Sequence, residues 1–250
     1  MRALVTGGSS GMGLEYAREL SRRGYRLLLV SNRNDELEKA RKELGCEVCC
    51  MDLAVPGAGR ELYAWCCRQG LEIDILVNNA GIFFMENLSA ENLPRAEAML
   101  RLHNETVVSL CTLFGARMKE RGAGYILNVS SMTAWIPAPG ITIYAATKAF
   151  LKSFGKSLSH ELRPYGVTVT TVFPSAVDTP LYPLSDGLRR AGRRLGVIWT
   201  PRRLVKRALR GLFHRRRMVR PGVLNYLVPA LVWLLPNRLI DRIWFRWSRR

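Results

Sequence analysis

Several familiar classes are excluded by what this chain lacks. It does not open on a charged region, an apolar stretch and a cleavage site. Met1 is followed almost at once by strand-like Ala3-Leu4-Val5, so no secretory signal is read and a cytosolic location is expected. The six cysteines include the adjacent pairs Cys49-Cys50 and Cys66-Cys67. Neighbouring cysteines rarely bridge each other and no spacing fits a zinc site, so reduced thiols and no metal are expected. No apolar run is long enough to span a membrane. Val223–Leu235 comes nearest, but as a helix it would reach only ~20 Å against a hydrocarbon core of ~30 Å. Asn225 and Pro229 also interrupt it. There is no internal repeat and no low-complexity linker before about residue 184. No helix-turn-helix or other nucleic-acid module is visible.

Acidic residues are scarce at one end only. Residues 186–250 hold 18 Lys+Arg and 2 Asp+Glu, whereas residues 1–185 hold 20 and 18. The net charge of +18 therefore sits almost wholly in the tail, which points to an anionic partner there.

What is present suits one folded α/β domain. The chain has 250 residues, 48% hydrophobic and 9% aromatic, enough for a sizeable core. Short apolar runs at 2–6, 26–30, 47–51, 73–77, 124–129 and 167–172 read as strands. Between them, 13–23, 35–44, 62–68, 93–121 and 145–165 read as helices. That alternation predicts a doubly wound parallel sheet of the Rossmann kind, covered on both faces. The expected organisation is a core over 1–184, a lid and last core elements over 185–222, and an amphipathic extension over 223–250.

Thr6-Gly7-Gly8-Ser9-Ser10-Gly11-Met12-Gly13 falls between the first strand and the first helix, where such a fold binds a dinucleotide. Glycines let the backbone approach a ligand, and the helix N-terminus offers free N–H groups to a phosphate. After the second strand come Ser31-Asn32-Arg33. No carboxylate stands there to bond the ribose hydroxyls. Arg33 could pair with a 2′-phosphate, or could merely begin a solvated helix; NADPH is expected rather than NADH.

Tyr144 and Lys148 lie four residues apart and share one face of a helix, and Ser131 lies thirteen residues upstream. Reducing a ketone needs a hydride on carbon and a proton on oxygen. Tyr144 can act as general acid, and the Lys148 ammonium would favour its phenolate form. Ser131 can hydrogen-bond the substrate oxygen.

The turn spacing, Asn78-Asn79-Ala80-Gly81, Asn104, Ser131, Tyr144 with Lys148, and Pro174 to Thr179 resemble the short-chain dehydrogenase/reductase superfamily over about residues 2–180. The resemblance implies a cofactor site built from Thr6, Gly7, Ser9, Ser10, Gly11, Met12 and Gly13, continued by Asn32 and Arg33. It implies that Asp52, with Leu53 beside it, contacts the adenine edge. Asn78 and its neighbours Asn79, Ala80 and Gly81 would shape the groove floor. Tyr144 and Lys148 would meet the cofactor as well, Lys148 through the nicotinamide ribose. Pro174, Val177 and Thr179 would lie at the nicotinamide, with Thr179 on its carboxamide. Asn104 would hold a water that links Lys148 to solvent. One departure is Ser175, where the family usually has glycine after the proline.

After Thr179 the family's chain folds over the substrate. Leu181, Tyr182, Leu184, Leu195 and Trp199 could line an apolar pocket or serve as ordinary lid packing. Thr200-Pro201 reads as a helix start. In 238–250, Leu239, Ile240, Ile243, Trp244 and Trp247 form one sector opposite Arg238, Asp241, Arg242 and Arg249, which suits a membrane interface. The tail also resembles that of bacterial members related to lipid and hydroxysteroid dehydrogenases. An apolar lipid-, acyl- or steroid-like substrate is expected, with peripheral contact to the inner face of an anionic membrane. The alternatives are a small soluble ketone or sugar with the tail used for oligomerisation, or a cofactor-binding regulator with a nucleic-acid-binding tail. The interleaving of Arg with Leu, Ile and Trp argues against nucleic acid. A dimer or tetramer would follow the family.

Overall fold

The computed structural model describes residues 1–177, Gly187 and 198–248. The elements run β1 (Arg2–Thr6), α1 (Gly11–Arg22), β2 (Arg26–Ser31), α2 (Asn34–Leu44), β3 (Glu47–Cys50), α3 (Ala58–Arg68), β4 (Ile75–Asn78), α4 (Leu93–Leu100), α5 (Thr106–Arg121), β5 (Gly124–Val129), α6 (Thr142–Leu162), β6 (Val167–Val172), α7 (Pro201–Phe213), β7 (Met218–Val219), α8 (Leu224–Leu234) and α9 (Asn237–Ser248). The strands form one sheet in the order β3-β2-β1-β4-β5-β6-β7. Every pairing is parallel.

Alternate strand residues feed two cores, because successive side chains in a strand point to opposite faces. Ala3, Val5, Leu27, Leu29, Ile75 and Val77 pack with Leu20 of α1, Leu37 of α2 and Leu209 of α7. Leu4, Leu28, Val30, Leu76 and Ile126 pack with Leu62 of α3 and Leu110 and Phe114 of α5. With both faces buried, the strands are apolar throughout, which is how they could be read. The chain reverses its winding between β1 and β4, and a crevice at their carboxyl ends is where such sheets take ligands.

Two features differ from the sequence expectation. The helix read over 93–121 is α4 and α5 joined by a π-helical turn, Arg101–Glu105. The two-residue edge strand β7 was not expected; it is too short to carry any periodicity. The apolar run after 223 is helix α8, with Pro229 inside it, and α9 follows after two residues. Thr200 caps α7 as read: its hydroxyl accepts the Arg203 N–H at 3.4 Å, and Pro201 is the first helical residue. Among the described residues no helix is long and apolar enough to cross a membrane, and no cluster of side chains could hold a metal.

Candidate active site

The glycine turn leaves β1 and enters α1 with Gly7 and Gly11 at φ 63° and 53°. A Cβ on Gly7 would lie 2.9 Å from the Ala80 backbone, and one on Gly13 would run into the Gly7 carbonyl oxygen. Only glycine fits this path. The first turn of α1 holds no acidic residue, so its free N–H groups face the crevice without a competing carboxylate on that turn. The Thr6 hydroxyl accepts the N–H groups of Asn79 and Ala80, both at 3.0 Å. The Asn79 amide donates to the Thr6 carbonyl at 3.0 Å. The turn and the segment after β4 are thereby held as one cradle. Asn78 points elsewhere: it is buried and donates to Asn128 at 2.8 Å, joining β4 to β5.

The end of β2 holds a carboxylate that its local sequence does not reveal. Glu36, on the first turn of α2, pairs with Arg33 at 2.7 Å and accepts the Ser9 hydroxyl at 3.0 Å. Ser9 also reaches Ser31 at 2.9 Å. Burial acts to raise the Glu36 pKa, but the hydrogen bonds from Arg33 and Ser9 outweigh it, and the carboxyl stays below its usual range. Asn32 is exposed beside this group. Asp52 follows β3 and is tied to the Ala54 N–H at 2.9 Å; Leu53 is buried next to it. These residues sit at the carboxyl ends of β2 and β3, to one side of the cleft described next.

That cleft is lined by Ser131, Tyr144 and Lys148, by Asn79 and Gly81, and by an apolar wall of Met12, Ile82, Val129, Pro174 and Val177. Ser131 ends the segment after β5 and caps a short 3-10 turn, Met132–Trp135, its Oγ accepting the Thr133 N–H at 3.2 Å. Tyr144 and Lys148 stand one turn apart on α6, both nearly buried. Lys148 Nζ donates to the Val129 carbonyl at 3.1 Å and lies 5.4 Å from the centre of the Tyr144 ring. The Ser130 hydroxyl donates to the Lys148 carbonyl at 2.8 Å, so the end of β5 is fastened to α6 by side chain and backbone alike. Burial lowers the Lys148 pKa to about 7. Phe83 packs edge-on against Tyr144, with ring centres 5.0 Å apart.

The π turn brings two residues to the back of this group, a placement such turns often have at functional sites. Asn104 donates to the Thr147 carbonyl at 3.2 Å, one residue before Lys148. His103 was not anticipated. It is buried, and its Nε2 accepts the Ile82 N–H at 3.1 Å. Nε2 therefore carries no proton, and Nδ1 donates to the Thr147 hydroxyl at 2.9 Å. That hydroxyl in turn donates to the Tyr144 carbonyl at 2.8 Å. Burial, then the charge of Lys148, hold the imidazole pKa well below its usual value, so it stays neutral. A Cβ on Gly81 would lie 3.0 Å from His103 Nε2, so glycine there gives this clasp its room. Its partners are 21 and 44 residues away in sequence, and no local spacing signals them. Thr179, Leu181, Tyr182, Leu184 and Leu195 lie outside the described residues. Trp199 is buried in the core beside Val177, as packing rather than as part of the cleft wall.

An open parallel sheet with a glycine turn at its winding reversal, and a Ser, Tyr and Lys group beside it, defines the class of dinucleotide-binding dehydrogenases. The chain belongs to the short chain dehydrogenase family, whose profile matches residues 1–185. It is similar to the very-long-chain 3-oxoacyl-CoA reductase-A of Danio rerio, 35% identical over 189 residues, which are 72% of this chain and 59% of that one. The chain thus spans about three fifths of the length of such relatives. Among solved structures it is similar to a short-chain dehydrogenase from Sphingobium yanoikuyae in complex with NADPH. There the TM-score is 0.75 and identity 29%, over 94% of this chain and 96% of that one. It is also similar to the bulky-bulky ketone specific alcohol dehydrogenase from Comamonas testosteroni. That match has a TM-score of 0.76 and 27% identity, over 99% and 92% of the two chains.

Proposed function

We propose that this chain is an NADPH-dependent oxidoreductase that interconverts an apolar ketone and its secondary alcohol. The convergence of Ser131, Tyr144 and Lys148 in one cleft beside the glycine turn carries the reading. The cradle fits a dinucleotide: Gly7 and Gly13 leave no room for side chains, and the first turn of α1 carries no acidic side chain of its own. Thr6 and Ser9 to Gly13 would hold the pyrophosphate side, Asp52 and Leu53 the adenine, and Asn79 to Gly81, Pro174, Val177 and Thr179 the nicotinamide side. When bound, a reduced nicotinamide supplies the hydride.

The chain's own groups handle the oxygen. Ser131 donates a hydrogen bond to the carbonyl, and the Tyr144 hydroxyl gives it a proton. An unperturbed tyrosine titrates near ~10, so its phenolate needs help at neutral pH. The Lys148 ammonium, on the next turn of the same helix, supplies that help. With its own pKa brought to about 7, Lys148 can both hold and pass a proton near neutrality. Asn104, bonded to the helix one residue before Lys148, stands where it can anchor a water that resupplies it. The apolar wall, with Phe83 against Tyr144, supports a bulky apolar substrate. So do the acyl-CoA and bulky-ketone substrates in the names of similar proteins. For NADPH, the support is Arg33 at the end of β2 and the similar structure solved with that cofactor.

The test is Tyr144→Phe, scored by NADPH oxidation across ketosteroids, 3-oxoacyl compounds and simple ketones. Loss of a general acid should lower turnover ~10²–10⁴-fold. NADPH binding, followed by fluorescence, should persist. Near-normal turnover in the variant would overturn the assignment.

A further inference from the structure

Helix α8 shows its apolar side to the outside. Val223, Tyr226, Leu227, Leu231 and Leu234 recur at helical spacing and are all exposed, and Trp233 is 85% exposed. The orientation is fixed from the inner side. Asn225 and Pro229 are buried, and the Asn225 amide donates to the Pro221 carbonyl. The Arg220 guanidinium donates to the Asn225 carbonyl and lies over the rings of Trp135 and Tyr226, at 4.3 Å and 4.2 Å. Lys152 reaches Trp135 as well, at 4.2 Å. On α9, Arg238 and Arg242 are exposed one turn apart, with exposed Leu239 between them. Exposed Asp241 is the single acidic residue after position 186. The sector of α9 read from the sequence as membrane-facing is in part used internally: Trp244 packs against Gly140.

We propose that the outward stripe of α8, together with exposed Arg238 and Arg242 on the helix that follows it, docks on an anionic lipid bilayer. A helix of this length spans roughly 16 Å, so it lies in the plane of the interface rather than through the membrane. Charge selects lipid over a second copy of the chain. A second copy would bring another strongly cationic tail to the same surface, whereas anionic headgroups neutralise that charge. The docked surface backs onto the chemistry. α8 rests on the turn that follows Ser131, and Trp244 rests on the loop four residues before Tyr144. If the cleft is a carbonyl site as proposed above, docking brings its rim to a carbonyl carried in the membrane. The docking surface itself does not depend on that reading.

Co-sedimentation of the full chain with phosphatidylcholine vesicles, with and without phosphatidylglycerol, tests this without any activity readout. Binding is expected to the anionic vesicles and to weaken steeply between roughly 50 mM and 500 mM salt, as the screening length shortens. Leu227→Glu with Leu231→Glu should abolish it. Arg238→Gln with Arg242→Gln should weaken it roughly 30-fold, from about 1 kcal/mol for each basic residue near the surface. An unchanged far-ultraviolet circular dichroism spectrum and Tm check that each variant is folded, and if the glutamate pair fails that check the arginine pair still decides. Failure of the wild type to bind, or equal binding to neutral vesicles, overturns the proposal. So does a wild-type dimer that Leu227→Glu with Leu231→Glu converts to monomer without vesicle binding.

Discussion

On the proposed NADPH reading, cofactor choice turns on two residues that hold each other. Arg33 is mostly exposed, with its side chain at 68%, and its guanidinium sits 2.7 Å from Glu36. A 2′-phosphate arriving at the end of β2 would take Arg33 as its partner and meet Glu36 as a neighbour of like charge. A charge-assisted hydrogen bond is worth about 1.5–3 kcal/mol, and the exposure of Arg33 puts this one near the lower end through screening. Arg33→Ala should therefore weaken NADPH roughly 10–30-fold and leave NADH within about 2-fold. Glu36→Gln should act the other way. It frees Arg33 from an exposed ion pair worth about 0–1 kcal/mol, so NADPH should tighten by up to roughly 5-fold. The amide oxygen introduced by that substitution could still accept the Ser9 hydroxyl, so the glycine turn keeps its brace. Fluorescence titration of both cofactors against wild type and both variants, at two salt concentrations, measures all of this. Equal losses of NADH and NADPH in Arg33→Ala would refute the reasoning, as would tighter wild-type binding of NADH.

Two further predictions concern the back of the cleft. His103→Leu leaves the Ile82 N–H without its acceptor and should cost about 1–3 kcal/mol, a fall in Tm of roughly 3–10 °C by differential scanning fluorimetry. His103→Asn, which keeps a donor for the Thr147 hydroxyl, should recover part of both Tm and kcat; no difference between the two variants would reduce the clasp to packing. The clasp is neutral in the folded chain and its pKa is depressed there, so its stabilisation is whole above the unfolded value near ~6.5 and is lost as pH falls below it. Both His103 variants should flatten that acid limb. Lys148 gives a slope at the other end. Its folded pKa is about 7 against the ordinary 10.5, so between those values the unfolded chain binds the extra proton and stability rises with pH. Lys148→Met should flatten the Tm profile over that window while turnover collapses; an unchanged slope would mean that Lys148 is not buried as an amine.

Local periodicity explains what was readable. The glycine turn and the Tyr144–Lys148 pair are short-range patterns, and a seven-stranded parallel sheet buried on both faces leaves its strands as plain apolar runs. Long-range pairings left no such trace. The His103 clasp joins three segments, and Glu36 meets Ser9 across 27 residues. The π turn adds one residue to a helix whose period otherwise continues, so 93–121 reads as a single helix.

The tail marks a different limit. Val223–Leu235 is apolar on every side as a helix, so no period can say which side is packed. The choice is made by groups that look like interruptions in the sequence. Buried Asn225 and Pro229, with Arg220 stacked on Trp135, fasten one side of α8 to the protein. Leu227, Leu231 and Leu234 are left outward, on the helix side opposite those anchors. In a chain whose last 65 residues carry almost all of its net charge as arginine, that exposed stripe is better explained by a negatively charged lipid surface than by a fault in packing.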